Sequence, residues 1–412
     1  MKPRKAAVFF IFITVTLDML ALGLIMPVLP KLVLNFLGGD TPSAAKVFGI
    51  FGTVWALMQF LFSPVLGVLS DRFGRRPVVL LSNLGLGLDY IVMALAPTIG
   101  WLFVGRVISG ITAASINTGT AYVADVVPPE KRASAFGLIG SAFGVGFVLG
   151  PALGGLLGNS DPRLPFWVAA GLSLANALYG YFVLPESLPP EKRKPFTFRR
   201  ANPVGSLVLL RSHPELLRLA TIQFIGYVAH EVFNVWALYT IFRYAWREGT
   251  IGLSLALVGV CSIVASSWIV PAMVSRFGER RTLYVGQFFG ALGMVLAGLA
   301  PTGKFFFFSI PVMVLWSIST PAAQGMMTRR VSESEQGELQ GAIGSLCSLA
   351  WIIGPSLFTF TLAWFINPAR GWNLPAAPWY LGALLLFIAM LMATRIPKLA
   401  ATGIDDPGRK KM

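Results

Sequence analysis

Apolar positions run along this chain in long, nearly unbroken blocks, separated by short stretches rich in Gly, Pro, Lys and Arg. Transmembrane strands would alternate apolar and polar residues in segments of about ten, and these blocks do not alternate. Twelve can be drawn, at 7–33, 45–69, 77–98, 100–123, 134–158, 164–184, 217–242, 251–275, 281–300, 304–328, 338–365 and 377–394. Each is close to the ~20 residues that cross ~30 Å of hydrocarbon at 1.5 Å per residue. A segment in lipid must satisfy its own backbone hydrogen bonds, which makes these blocks helices. The pattern predicts an all-α membrane protein with twelve transmembrane helices.

The twelve spans fall into two sixes. Asp71-Arg72-Phe73-Gly74-Arg75-Arg76 follows span two, and Ser275-Arg276-Phe277-Gly278-Glu279-Arg280 follows span eight, 204 residues later. Gly150-Pro151 in span five recurs as Gly354-Pro355 in span eleven, and Gly137 recurs as Gly341, both at the same offset of 204. Thr16-Leu17-Asp18 is echoed by Thr221-Ile222-Gln223 at 205. Repetition at one period marks a duplicated unit. The expected organisation is an amino-terminal bundle over 1–184, a Pro-, Lys- and Arg-rich linker over 185–216, and a carboxy-terminal bundle with a short basic tail over 217–412. A substrate site near the midplane, where the two repeats meet, is the usual consequence of such symmetry.

Composition agrees with lipid as the solvent. The 412 residues are 55% hydrophobic and 12% charged, with a mean hydropathy of +0.70. An ordinary soluble domain is roughly a quarter charged. The net charge of +15 would suggest nucleic acid in a soluble protein, but its placement explains it otherwise. With the amino terminus inside, 25 of the 33 Lys and Arg lie on cytoplasmic segments, 7 on outer loops, and Arg106 within a span. That asymmetry follows the positive-inside rule and predicts both termini in the cytoplasm, with no nucleic-acid partner. The basic ends, Lys2, Arg4 and Lys5, then Arg409 to Lys411, suit contact with anionic lipid headgroups.

Several classes drop out. Cys261 and Cys347 both sit in spans, which supports neither a disulfide framework nor a metal site. The basic start and first apolar stretch run to about residue 33 without a small-residue cleavage site, so they are expected to be span one rather than a cleaved leader. His230-Glu231-Val232-Phe233-Asn234 approaches a zinc-protease signature, but its fifth residue is Asn, and the other histidine, His213, lies in the linker. No Gly-Lys-Ser/Thr phosphate loop and no Gly-x-Ser-x-Gly elbow is present. The chain is expected to be neither an enzyme nor an ATP-driven pump, and to need no cofactor.

Gly67-Val68-Leu69-Ser70-Asp71-Arg72-Phe73-Gly74-Arg75-Arg76 resembles the loop 2–3 signature of the major facilitator superfamily. Gly105-Arg106-Val107-Ile108-Ser109-Gly110-Ile111 resembles its span-four arginine motif, and Gly144 through Gly155 the span-five motif of its proton-coupled antiporters. The resemblance implies the major facilitator fold, two pseudo-symmetric six-helix bundles that move a small molecule by alternating access. Thr16-Leu17-Asp18 with Gly23 to Pro30, Ala56 to Gln59, Leu88-Asp89-Tyr90, and Ala229-His230-Glu231 with Trp236, Tyr239 and Arg243-Tyr244 resemble the tetracycline/proton antiporter branch. That branch implies export of drugs or other amphiphiles, some as metal chelates, in exchange for protons. The best-known tetracycline pumps carry a histidine in span eight and an aspartate in span nine; the aligned positions here are Ser262 and Gly290.

Ionisable groups in hydrocarbon cost about 2.5–3.5 kcal/mol on insertion scales, so they are functional candidates by default. Asp18, Asp89 and Glu231 each lie about twelve to fourteen residues into a span, near mid-membrane at 1.5 Å per residue. Asp18 and Asp89 are the expected proton carriers, with His230 and Glu231 as partners in the second half; the alternative is that one of them only pairs with a polar neighbour to fix packing. Arg106 must face a cavity or a carboxylate, and either pairs alternately with Asp89 or holds a static ion pair. Gly67, Asp71, Arg72, Gly74 and Arg75 form a positive-inside anchor or, by the resemblance, a gating latch in which Asp71 meets the positive end of span eleven. Gly144, Gly150 and Pro151 allow close packing and a kink, with gating added by the resemblance.

Gln59, Asn83, Asn117, Gln223, Asn234, Gln287 and Gln324 are in-span amides, each either lining the pathway or bonding between helices. Trp236 is expected on the wall of a substrate cavity. The expected function is a proton-driven exporter of an amphiphilic small molecule, acting as a monomer in a bacterial inner membrane. A transporter of a sugar or organic acid on the same fold, and a membrane receptor, are the competing readings.

Overall fold

The computed structural model describes residues 3–113, 115–193, 207, 209–210, 214–332 and 335–396. Among these there are helices and loops but no strand. Most of the expected linker and the basic tail lie outside the described residues.

In the first half α1 (Pro3–Ile25) turns into the short α2 (Leu29–Phe36), and α3 (Thr41–Phe73) and α4 (Arg75–Leu95) follow. The fourth expected span is divided between α5 (Ile99–Thr112) and α6 (Ser115–Val126). Next come α7 (Pro129–Ser160) and α8 (Leu164–Val183). In the second half α9 (Pro214–His230) and α10 (Trp236–Tyr244) are joined by a 3-10 turn over Glu231–Val235. A π turn, Ala265–Ile269, links α11 (Glu248–Val264) to α12 (Val270–Leu299). The last elements are α13 (Gly303–Val314), a 3-10 turn over Leu315–Ile318, α14 (Ser319–Thr328), α15 (Gln336–Phe365) and α16 (Ala377–Thr394).

Among the described residues nine stretches are long and apolar enough to cross a membrane. One of them, Glu248–Leu299, is 52 residues long and reverses at Gly278, so it holds two of the expected spans. The seventh is interrupted by the 3-10 turn, and the fourth is described in two pieces on either side of residue 114, which lies outside the described residues.

The duplication is visible in the backbone. Gly74 sits at φ 106° and ψ 158°, and Gly278, 204 positions on, at φ 77° and ψ 164°. A Cβ disfavours this left-handed region, so glycine is what lets each half turn sharply between adjacent spans.

Within the first half α1 packs on α7 and α8, α4 on α8 and α5, and α3 on α5. Within the second α12 packs on α16, α13 and α14, and α9 on α16 and α15. The halves meet through α3 against α15 and α7 against α11. These are spans two with eleven and five with eight, pairs that a six-span repeat exchanges. At both seams the backbones come close. A methyl group on Gly52 would stand 2.7 Å from Pro355, and one on Gly252 would stand 2.2 Å from the Pro151 carbonyl oxygen. The Thr53 hydroxyl donates to the Ile352 carbonyl at 2.8 Å, and the Gly249 N–H donates to Asn159 Oδ1 at 2.9 Å.

Toward the other end the halves part. A methyl group on Gly67, Gly137, Gly140, Gly337 or Gly344 would meet nothing within 4 Å. The close approaches between the halves named above all lie toward the Asn159–Gly249 end, which is the closed one; the end carrying the Gly74 and Gly278 turns is the more open.

Candidate transport site

The first half holds its charges in a buried core. Asp18 on α1 is buried, and Asn176 on α8 donates to its Oδ1 at 3.0 Å and to the Thr14 carbonyl at 3.1 Å. Asp89 on α4 has no exposed surface; the donor set against it is the Ser109 hydroxyl, at a geometry short of a full hydrogen bond. Arg106 on α5 is the cation that acts on it. The guanidinium bonds instead to Ser109 Oγ at 3.4 Å and Met93 Sδ at 3.7 Å, and its Nε is unpartnered. Gly105 makes the approach of α5 to α4 possible, since a methyl group there would lie 2.9 Å from Asp89 Oδ1. A buried guanidinium and carboxyl group with so few full-strength hydrogen bonds are costly in low dielectric.

The glycines of α7 bring α1 close. Methyl groups on Gly146, Gly150 and Gly154 would collide with Met19, Gly23 and Leu24 respectively, at 2.4, 2.6 and 2.0 Å. Asp18 thus lies on the helix that leans on α7, and α7 is the helix that meets α11 in the other half. Pro151 sits inside α7 at that seam, and a methyl group on Gly144 would lie at ordinary contact distance, 3.5 Å, from Ile263 across it.

The second half places its ionisable pair where the helix breaks. Glu231 opens the 3-10 turn, is buried, and accepts a 2.7 Å hydrogen bond from Asn234 Nδ2. His230 Nδ1 lies 3.7 Å from Glu231 Oε1, with its side chain 46% exposed. Its ring packs on Phe233 and Trp316 with centroids 4.9 and 5.2 Å away. Gly354 makes room for the acid, because a methyl group there would lie 2.2 Å from Glu231 Cβ. Within the turn Asn234 approaches Gly52 of the first half, and Trp55 pairs with Trp351 across the seam at 6.5 Å.

The expected amides separate into kinds. Gln59, Asn234 and Gln324 are half-buried. Gln223, Gln287 and Asn83 are buried, and each has an unpartnered amide atom, with both ends of Asn83 free. The Tyr227 hydroxyl is set against the amides of Gln223 and Gln324. The side chain of Asn117 lies outside the described residues. Trp236 corrects an expectation. It is 1% exposed, its indole N–H donates to Ser254 Oγ at 2.9 Å, and it packs edge-on against Phe306 and Trp379, so it is a core residue and not cavity wall.

At the open end Asp71 pairs with Arg75 at 2.7 Å, and Arg75 reaches Asp125 on α6 at 3.1 Å and Ser70 Oγ at 2.6 Å. Arg72 is exposed beside Phe73, and Gly67 accepts from Ser70 Oγ at 2.7 Å. The motif is tied down by a residue that sequence inspection passed over. Glu186 accepts from the backbone N–H of Arg75 at 2.8 Å and of Arg76 at 3.3 Å, capping the positive end of α4. Asn176 was missed in the same way, although a lone amide in the apolar sixth span is a signal of the kind used for the others.

The family model described as Major Facilitator Superfamily matches residues 11–355. The class C tetracycline resistance protein of Escherichia coli is 40% identical over 394 residues, 95% of this chain and 96% of that protein. The class G tetracycline resistance protein of Vibrio anguillarum is 36% identical over 400 residues, covering 95% and 98%. Among solved structures the human organic anion transporter MFSD10 (TETRAN) has a TM-score of 0.69 at 24% identity, covering 95% and 100%. A bacterial homologue of the human lysosomal transporter Spinster has a TM-score of 0.77 at 16% identity, covering 95% and 96%; at these identities both likenesses speak to the fold. A helical chain that crosses the membrane many times, with charges buried in its core and a seam between two repeats, is here a transporter of a small molecule and not an enzyme: it belongs to the Major Facilitator Superfamily.

Proposed function

We propose that this protein exports a tetracycline-like amphiphilic drug in exchange for protons, by alternating access of the seam between its halves. The observation that carries the coupling is Asp89, a wholly buried carboxyl group under the charge of Arg106 and sharing with it one weak donor, Ser109. When the carboxyl group holds a proton, Arg106 rests on Ser109 and Met93. When the proton leaves, the guanidinium has a charge to turn to. A charge-assisted bond is about twice as strong as a neutral one, which supplies the difference between two states.

Asp18 is the second proton site of this scheme. Its protonation changes what Asn176 donates to, and so changes how α1 sits on α7. Because α7 forms one seam with α11, the strain is delivered to the closed end of the cavity. His230 and Glu231 form the ionisable pair of the second half, and Gln59, Asn234 and Gln324 line the path. The buried amides of Gln223, Gln287 and Asn83 become available as helices shift.

Gly67, Asp71, Arg72, Gly74 and Arg75 gate the open end, with Gly144, Gly150 and Pro151 as the hinge side of the same movement. In this scheme the open end faces the cytoplasm, both termini are cytoplasmic, and the protein works as a monomer among anionic lipids of a bacterial inner membrane. The two bundles are residues 1–184 and 217–412, joined by a linker over 185–216. The spans number twelve. The relatives named for tetracycline resistance support the substrate class.

The test is tetracycline uptake by inverted vesicles with and without an imposed proton gradient. Wild type should accumulate drug only with the gradient, and Asp18→Asn should not. Gradient-driven uptake by Asp18→Asn at the wild-type rate would defeat the proton assignment.

A further inference from the structure

The second half is short of positive charge. From residue 219 to 242, from 248 to 275, from 282 to 303, from 305 to 328 and from 336 to 394, apart from Arg370 in a loop, there is no Lys or Arg. Its mid-span carboxylate is Glu231, which is held by one hydrogen-bond donor, Asn234, at 2.7 Å. The ionisable group beside it is His230 at 3.7 Å, and no Lys or Arg pairs with it among the described residues. The first half differs, because there a permanent cation, Arg106, already answers Asp89.

Glu231 is buried, but it lies beside the half-exposed His230 at a break in the helix. It begins a 3-10 turn over Glu231–Val235, in which the α-helical side-chain spacing is broken and Asn234 comes beside Gly52 of the other half. Beside it runs a wall of three rings, Trp316, His230 and Phe233, at 5.2 and 4.9 Å. Trp316 holds its place because Gly290 and Gly226 carry no side chain. A methyl group on Gly290 would stand 2.7 Å from Trp316 Cβ, and one on Gly226 would stand 3.5 Å from its ring. The indole N–H of Trp316 and Oε1 of the nearby Gln287 both lack a partner.

We propose that this turn and ring wall form a recognition site for an aromatic monocation, with Glu231 as counter-charge and Trp316 and His230 as the π surface. The site lies in the cavity of the export reading given above and rests on it for its place in transport. A ligand cation over an aromatic face gains about 0.5–2 kcal/mol, and a carboxylate that lacks another cation adds to this. Gln287 and the Trp316 N–H are free to orient a polar substituent on the ligand.

Binding separates this inference from proton coupling, because it is measured without a gradient. The purified full-length protein would be titrated with N-methyl-4-phenylpyridinium and, at pH 8, with its uncharged parent 4-phenylpyridine, following intrinsic tryptophan fluorescence. Wild type should bind the cation at least tenfold more tightly. Glu231→Gln should bind both probes alike and the neutral one as wild type does. Trp316→Leu should weaken both, by roughly fivefold at the strength of one cation–π contact.

If Glu231→Gln binds neither probe, Glu231→Asp decides: a retained preference for the cation supports the site, and equal binding overturns it. Equal binding by wild type, or an undiminished preference in Glu231→Gln, also overturns it. Gradient-driven uptake that fails while this preference stands would instead defeat the export reading alone.

Discussion

The two halves share a scaffold and differ in what they put into it. Gly150 and Gly354 occupy the same place in the repeat, each followed by proline. In the first half the space is taken by backbone, since Gly23 of α1 lies against Gly150. In the second the space is taken by the side chain of Glu231 against Gly354. One half therefore turns its glycine into a tight helix seam, and the other turns it into a socket for a charge. The first half buries Asp18, Asp89 and Arg106 away from surface, whereas the second leaves His230 nearly half exposed on a broken helix. The repeat keeps the turns and seams in both halves and differs in the interior, and the proposal made above gives proton handling to the first bundle and ligand handling to the second.

The sharpest way to break that division is to exchange the effects of its acids. Asp89→Asn should cut gradient-driven uptake by roughly 10²-fold, the scale of losing a positioned proton-transfer group, while binding of an aromatic cation stays as in wild type. Glu231→Gln should do the reverse to binding. If Asp89→Asn loses cation binding as severely as Glu231→Gln, the two bundles are not specialised. Parallel titration and uptake on the same preparations measure both.

Two tryptophans of the second half make a smaller but cleaner contrast. Trp236 is enclosed by Phe306, Trp379 and Ser254, so Trp236→Ala should cost about 3–5 kcal/mol of stability and lower the yield of folded protein. Trp316 faces the His230 ring and carries an unpartnered N–H. Its replacement by Leu should leave thermal unfolding close to wild type and change ligand binding. Thermal unfolding in detergent separates the two, and a large loss of stability in Trp316→Leu would make it another core residue.

The paired glycines test the same division at lower cost. Gly150→Ala drives a methyl group into Gly23 Cα at 2.6 Å, and Gly354→Ala drives one into Glu231 Cβ at 2.2 Å. Overpacking of this kind costs about 1–3 kcal/mol, so both variants should unfold at lower temperature. Only Gly354→Ala should also lose the preference for a charged ligand, because only there is the displaced group the counter-charge. Equal ligand preference in the two would show that the socket is incidental.

How much of this was legible in the sequence depends on whether a residue acts through a repeated pattern or through a single contact. The apolar blocks and the 204-residue offset announced the helices, the Gly74 and Gly278 turns and the Gly150–Pro151 and Gly354–Pro355 seams, because each is a backbone requirement that recurs. The charges at Asp18, Asp89, Arg106 and Glu231 stood out because hydrocarbon makes them costly. Glu186 did not, since an acid in a polar loop carries no such mark and its role depends on α8 ending beside α4. Trp236 was placed on the cavity wall because an aromatic residue next to polar positions suits either place, and burial decides between them only in three dimensions. The broken seventh span was hidden as well: Val232, Phe233 and Val235 suit a continuous helix, and nothing local signals the 3-10 turn.

A repeat can also hide by changing sign. Arg75 pairs with Asp125 in the first half, and their mates at the 204-residue offset, Glu279 and Arg329, pair in the second with the charges exchanged. The first pair is embedded. Arg75 also meets Asp71, Ser70 and, through its backbone N–H, Glu186, so Arg75→Glu would set a carboxylate among three others. The second pair has an exposed arginine, with 62% of the Arg329 side chain in solvent, so its Coulomb energy is screened. Exposed pairs contribute about 0–1 kcal/mol. Exchanging both charges in the second half, Glu279→Arg with Arg329→Glu, should therefore leave uptake within about twofold of wild type. The same exchange in the first half, Arg75→Glu with Asp125→Arg, should fail to rescue the single Arg75→Glu variant, because Asp71 and Glu186 stay acidic around it. Rescue of the first half to the level of the second would mean that only the pair matters; the environment predicts that it does not.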